Sequence, residues 1–172
     1  PYAAGQVLVQ PDLAATYRAI AKDGSDWFYR GPFAAQVSDW MSRHGGLIVE
    51  QDFRDYRSVE RRPLETRYRG HRIIGFPPPS SGGVHVAQML AMLERFDLRQ
   101  LHQDDPLTAS HVVVEAMKLA FADRAHWLGD PDFADVPAGL LDPQYLQDRS
   151  ATIDPTRVVP VLSHGQPPDA DT

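Results

Sequence analysis

The chain contains no cysteine. That excludes thiol nucleophiles, disulfide staples and cysteine-ligated metals. No apolar run approaches the roughly 20 residues that a membrane-spanning helix needs. There is no basic excess, since 17 lysines and arginines stand against 23 acids for a net charge of −6. No basic stripe is visible, so nothing favours a nucleic-acid partner. The opening Pro1-Tyr2-Ala3-Ala4 has neither an initiator methionine nor a leader pattern. It reads as an internal piece of a longer precursor, so targeting is not encoded in this stretch. At 172 residues the chain is long enough for one domain with a core of its own.

What the chain does have is proline, 15 in all, with three of them in Phe76-Pro77-Pro78-Pro79-Ser80-Ser81-Gly82-Gly83. These prolines fix φ and remove donors, and they hold each preceding residue extended. No helix can begin before Ser80. Ser80 and Ser81 offer caps, and Gly82 and Gly83 let the backbone approach a neighbour closely. Behind them Val84 to Leu93 is apolar, with Val86, Leu90 and Leu93 or Val84, Ala87 and Ala91 at helical spacing. Strand Ile73–Phe76, stiff elbow and buried helix follow one another. The elbow does not read G-x-S-x-G, the pattern of a hydrolase nucleophile turn. It is not a phosphate loop either, because no Gly-Lys-Ser/Thr follows. Turns and caps explain every residue in it, so a structural elbow is favoured over a catalytic one.

Elsewhere the pattern predicts an α-rich α+β chain with about six helices and a small antiparallel β element. A helix with Leu13, Tyr17 and Ile20 follows Asp12, which can cap it. Trp27, Phe28 and Tyr29 form an aromatic cluster, read as core packing rather than a ligand cage. Pro32 to Arg43 is helical, with Phe33, Val37, Trp40 and Met41 on one side, and Gly45-Gly46 ends it. Gln51 to Tyr56 makes a helical turn. Arg57 to Phe76 reads as a hairpin turning at Gly70-His71, with Pro63 at an edge or bulge. Its arginines are expected on solvated faces, paired with nearby acids. Asp97 to Asp105 is a polar link. Thr108 or Ser110 caps a long helix over about 109–128, apolar on two sides, in which His111 and Glu115 form a local pair. Asp123, Asp130, Asp132 and Asp135 suggest calcium, but the spacing is not that of an EF-hand loop, and a buried ion pair of Asp123 with Arg124 or Arg149 is the stronger rival. From Asp154 the chain is poor in large apolar residues and rich in proline, and it reads as a mobile linker, 154–172, after a scaffold section 1–153.

Pro77-Pro78-Pro79-Ser80-Ser81-Gly82-Gly83-Val84-His85 resembles a signature of the γ-glutamyltransferase (γ-glutamyl transpeptidase) family. Gly45-Gly46-Leu47-Ile48, Asp52-Phe53, Tyr56, Val59-Glu60-Arg61 and Pro63 fit the same family in order. So do Tyr68-Arg69-Gly70, Ala122-Asp123-Arg124 and Leu128-Gly129-Asp130-Pro131-Asp132-Phe133. Upstream, Leu8-Val9-Gln10, Asp12-Leu13-Ala14 and Phe28-Tyr29-Arg30-Gly31 agree as well. Each piece is weak alone, and their common order is specific.

The resemblance implies a section of the αββα sandwich of N-terminal-nucleophile hydrolases, at the C-terminal half of a large subunit. In that family the precursor cleaves itself before a threonine, whose hydroxyl then attacks while its own α-amine takes the proton. A γ-glutamyl group passes from glutathione or a related amide to an amino acid or to water, with no metal or cofactor. Thr172 stands where that threonine is expected, either as the nucleophile or as the residue flanking the cut. Gly82-Gly83 is not the family's oxyanion hole, which lies in the small subunit. The resemblance further implies a small subunit of the same precursor as partner, periplasmic or secreted placement, and no activity for this stretch alone. A cephalosporin-acylase-like enzyme, a poly-γ-glutamate depolymerase or a non-catalytic helical interaction module are the alternatives. Apolar surface left uncovered would favour self-association.

Overall fold

The computed structural model describes residues 2–168. The chain divides into two compact units between Glu60 and Arg61. The first holds α1 (Pro11–Asp23), α2 (Ser25–Tyr29), α3 (Pro32–Arg43) and α4 (Glu50–Asp55). Pro11 and Pro32 open α1 and α3, where a backbone N–H would have no partner in any case. Asp52 accepts the Val49 N–H at 2.8 Å and closes the start of α4. The expected aromatic packing is present. Phe28 stacks on Phe33 at 4.3 Å, Tyr29 stacks on Tyr56 at 5.4 Å, and Phe53 meets Phe28 and Phe33 edge-on. Trp40 departs from its expected apolar side. It is 52 % exposed and stacks on His44, one helical turn on.

The second unit begins with a hairpin, β1 (Leu64–Tyr68) and β2 (His71–Gly75), paired antiparallel from Leu64↔Gly75 to Tyr68↔His71. Arg69 and Gly70 form its two-residue turn, both at positive φ (51° and 80°), the geometry that matches strand twist. The turn thus sits one residue earlier than the sequence suggests. Some of the arginines pair with acids as expected: Arg72 with Glu65, Arg61 with Asp132 and Asp130, and Arg69 with Glu94, whereas Arg57 donates to the carbonyls of Arg54 and Tyr56. Helix α5 (Ser81–Leu93) follows the elbow and buries the Val84 and Ala87 side, leaving Val86 at 42 % exposure.

Among the described residues there are eight α-helices, because α2 and the short α6 (Leu98–Asp104) add to the expected set. Helix α6 replaces the supposed polar link, with Asp97 capping it through the Gln100 N–H. The long helix is α7 (Pro106–Trp127). Its cap is Asp105, which accepts from the Leu107 N–H and the Thr108 hydroxyl, rather than Thr108 or Ser110. Asp-Pro is an N-cap followed by a first-turn proline here, not a free turn. A 3₁₀ turn (Ala138–Leu141) and α8 (Pro143–Ala151) complete the elements. Met92, Leu93, Phe96, Val112, Ala116, Leu119, Ala120, Tyr145, Leu146 and Ile153 form the core. Only one side of α7 is buried in it. Met117 and Phe121, expected to be covered, stay 39 % and 45 % exposed.

Candidate functional site

The residues after Ile153 run along α7 as a strap. Helix α7 carries His111, Glu115, Leu119, Asp123 and Trp127 at steps of four. Such a row is a ridge inclined to the helix axis, so a chain following it crosses the helix obliquely. His111 Nε2 donates to the carbonyls of Asp154 and Arg157, at 3.0 and 3.2 Å. Glu115 accepts the Val159 N–H, and Lys118 Nζ donates to the Val159 carbonyl at 2.8 Å while pairing with Glu115 at 2.7 Å. The Leu119 carbonyl accepts from Arg149. Asp123 accepts the Gly165 N–H at 2.7 Å, and Trp127 Nε1 donates to the Gly165 carbonyl at 3.0 Å. At Val159 and at Gly165 both backbone polar groups are therefore matched by side chains of α7. His111 and Glu115 act on each other electrostatically, as expected of residues four apart, while the strap gives each of them a backbone hydrogen-bond partner.

Asp123 is the hub. It is 1 % exposed, and its two oxygens take four hydrogen bonds. Arg149 and Gly165 N–H bind Oδ1, each at 2.7 Å, and the Tyr145 hydroxyl (2.6 Å) and Gln88 Nε2 (3.2 Å) bind Oδ2. A buried carboxylate needs this much compensation, since an unpaired one would be prohibitive. The expected buried ion pair is thus present, and of the two candidate arginines Arg149 is the partner. Gln88 also donates to the Leu140 carbonyl, joining α5 and the 3₁₀ turn to the hub. Burial pushes the Tyr145 phenol up, and the adjacent Asp123 carboxylate reinforces the shift. At Glu115 burial works upward, but the Lys118 ammonium and the Val159 N–H outweigh it and hold the carboxyl below its ordinary value. Asp154, at the start of the strap, is lowered to about 2, first by the Thr156 hydroxyl. Under the strap lies a cavity of about 260 Å³ lined in part by Glu115, Leu119, Arg149 and Val161.

The elbow holds no comparable chemistry. The Ser81 hydroxyl accepts from Arg124 Nε at 2.9 Å. His85 is buried, and burial followed by the Arg124 charge lowers its pKa. Gly83 faces the end of β2, and a Cβ there would overlap the Phe76 carbonyl oxygen. This is the close approach expected of the glycine pair. The supposed calcium ligands separate: Asp123 holds Arg149, while Asp130 and Asp132 hold Arg61. Among the described residues no group of three or more His, Asp or Glu is placed to hold a metal. Thr172 lies outside the described residues. Sequence reasoning placed Glu115 and Trp127 on the long helix and expected a buried ion pair at Asp123, with Arg124 or Arg149 as its partner. It missed Val159 and Gly165, whose backbone partnerships leave no local signal, and Lys118, whose i,i+3 spacing from Glu115 was a signal it did not use.

A family model described as Gamma-glutamyltranspeptidase matches residues 1–171. The chain belongs to the γ-glutamyltranspeptidase family. It is 40 % identical over 161 residues to the glutathione hydrolase proenzyme of Escherichia coli K12, an alignment covering 93 % of this chain and 28 % of that protein. It is 44 % identical over 155 residues to the acylase ACY 1 proenzyme of Pseudomonas sp. strain SE83, covering 90 % and 28 % respectively. The crystal structure of Helicobacter pylori γ-glutamyltranspeptidase superposes with a TM-score of 0.78 at 38 % identity, over 91 % of this chain and 45 % of that one. The fold is accordingly that section of the N-terminal-nucleophile hydrolase architecture. The chain spans little more than a quarter of the length of these curated relatives.

Proposed function

We propose that this chain is a large-subunit section of a γ-glutamyltransferase that matures by cutting itself beside Thr172. Water hydrolyses the peptide bond before Thr172 and frees its α-amine. The Thr172 hydroxyl then attacks the γ-carbonyl of glutathione or a related amide, and the α-amine accepts the hydroxyl proton. The donor amine leaves, and an amino acid or water takes the γ-glutamyl group from the resulting ester. A small subunit of the same precursor supplies the remaining contacts, and this section alone is inactive. Periplasmic or secreted placement belongs to the same reading. No helix among the described residues is long and apolar enough to cross a membrane. The observation that carries the proposal is the 40 % identity, over 93 % of the chain, to a relative named as a glutathione hydrolase proenzyme.

The test is on the full-length precursor. Incubation should yield two fragments whose masses place the cut beside Thr172, with release from a γ-glutamyl anilide appearing in step. An uncut, inactive precursor that is folded would leave the helical interaction module as the reading. The 44 % identity to an acylase proenzyme favours a second reading, transfer or hydrolysis of a different acyl group. A cut precursor that turns over a simple acyl amide and ignores the γ-glutamyl anilide would establish it.

A further inference from the structure

The strap contains a single glycine between Asp154 and Pro168, and its environment admits no other residue. The Gly165 N–H is taken by Asp123 and its carbonyl by Trp127. On its third side lies the ring of Tyr145. A Cβ at Gly165 would overlap the Tyr145 hydroxyl and lie 2.8 Å from Cζ and 2.9 Å from Cε2. That ring cannot swing away cheaply. It is 8 % exposed, its hydroxyl is bound to Asp123, and it packs in the core. Gly165 does not adopt the left-handed backbone that only glycine favours. It is therefore a glycine for want of space, not for conformational freedom.

A socket of this kind reads register. His164 and Gln166 both carry a Cβ, so a strap shifted by one residue either way would drive a side chain into Tyr145. Val159, six residues earlier, is a weaker reference, because Glu115 and Lys118 contact only its backbone and would accept any residue but proline at the N–H. Pro167 and Pro168 follow at once and stiffen the exit from the socket. Thr172 is seven residues beyond Gly165. Seven residues span at most about 25 Å, and a one-residue slip moves the chain by roughly 3.4 Å. A displacement of about 1 Å at a reacting group can already cost about a hundredfold in rate.

We infer that Asp123, Trp127 and Tyr145 form a glycine-specific socket that sets the register of the segment leading to Thr172, and that they are positioning residues for the self-cleavage there. The inference rests on the reading of Thr172 as the processing site. Helix α7 thus has two tasks. Its apolar side builds the core, and its polar ridge delivers the strap.

The experiment compares full-length precursors by intact mass, with the cleavage rate measured well below each melting temperature so that every molecule counted is folded. Gly165→Ala should slow cleavage by about a hundredfold. Adding Tyr145→Leu to Gly165→Ala should restore part of the rate by making room. Trp127→Phe, which keeps the ring and loses the N–H donor, should slow cleavage by up to about tenfold. A merely structural role would lower the melting temperature and leave the rate per folded molecule unchanged. If Gly165→Ala does not fold, Trp127→Phe decides on the same criterion. Folded variants that cut at the wild-type rate would overturn the inference and leave Thr172 as the processing site. A wild-type precursor that is never cut beside Thr172 would overturn both.

Discussion

The elbow at Phe76–Gly83 and the strap after Ile153 are both rich in proline, and each contains a glycine with no room for a side chain. At Gly83 the obstruction is backbone: a Cβ would overlap the Phe76 carbonyl oxygen and lie 3.0 Å from the Phe76 nitrogen and carbonyl carbon. The facing Gly75 has its own missing Cβ 3.0 Å from the Gly83 Cα, so strand end and helix start meet almost backbone to backbone. At Gly165 the obstruction is a side chain, and the partners lie 38 and 42 residues away. At Gly83 the elbow is closed by residues less than ten positions away. The strap has few large apolar groups and is held by hydrogen bonds to a helix formed from remote sequence. A local feature depends on its own residues, and a remote one depends on the integrity of its hub.

The largest effect expected from that contrast is at the hub. Asp123→Ala would leave Arg149, whose side chain is 14 % exposed, buried without its carboxylate, and would strip the Tyr145 hydroxyl and Gly165 N–H of their acceptor. Removing one member of a buried pair costs about 3–5 kcal/mol. Chemical denaturation of the full-length protein should show a loss of that size. A loss under about 1 kcal/mol, the range of an exposed ion pair, would mean that the hub is not buried as described.

The adjacent glycines of the elbow give the next effect, and its sign differs between them. Gly83→Ala must move backbone on either side and should cost about 1–3 kcal/mol, as overpacking does. A Cβ at Gly82 meets nothing closer than the Ser80 hydroxyl, at 3.7 Å, and Gly82 lies in the first turn of α5. Gly82→Ala should therefore be stabilising by about 0.4–1 kcal/mol through the unfolded chain. Equal effects at the two positions would refute the close approach of elbow and strand.

The same contrast explains what the sequence could disclose. Helix α3, the hairpin and α5 were legible because hydrophobic spacing, paired glycines and proline runs are contiguous signals. The Asp105 cap was misplaced by a few residues because Asp-Pro serves equally as a turn and as the start of a helix. Helix α6 was missed because its seven residues, LRQLHQD, carry too few apolar positions to show a period. On α7 the composition suggested two buried sides, but spacing cannot say which apolar face finds a partner, and the side with Val114, Met117 and Phe121 stays open. The strap was the least legible part. Its anchors are backbone groups, which every residue but proline possesses alike, so their pairing with Asp123 or Glu115 leaves no trace in composition. The family resemblance suggested Thr172 as the processing threonine and was silent on what holds the strap before it.

The smallest effect separates the two regions by pH. His85 on the elbow helix has its pKa lowered below the ordinary 6.5, by burial and then by Arg124. Its unfolded form binds a proton more readily than its folded form. Stability at the elbow is therefore complete above about pH 6.5 and declines as pH falls from there toward the lowered value. Glu115 under the strap has its carboxyl lowered below the ordinary 4.5. The charge that holds Val159 and Lys118 contributes fully above about pH 4.5, and that contribution is lost only as pH falls through the lowered value. Between pH 6.5 and 4.5, then, acid should loosen the start of α5 and spare the strap. Hydrogen exchange read amide by amide in the full-length protein would show it: protection along α5 falls over this interval, while the Val159 amide keeps its own. His85→Gln should flatten the response at α5 and leave the strap amides unchanged. Loss of protection at Val159 already near pH 6 would refute Glu115 as the group that holds this part of the strap.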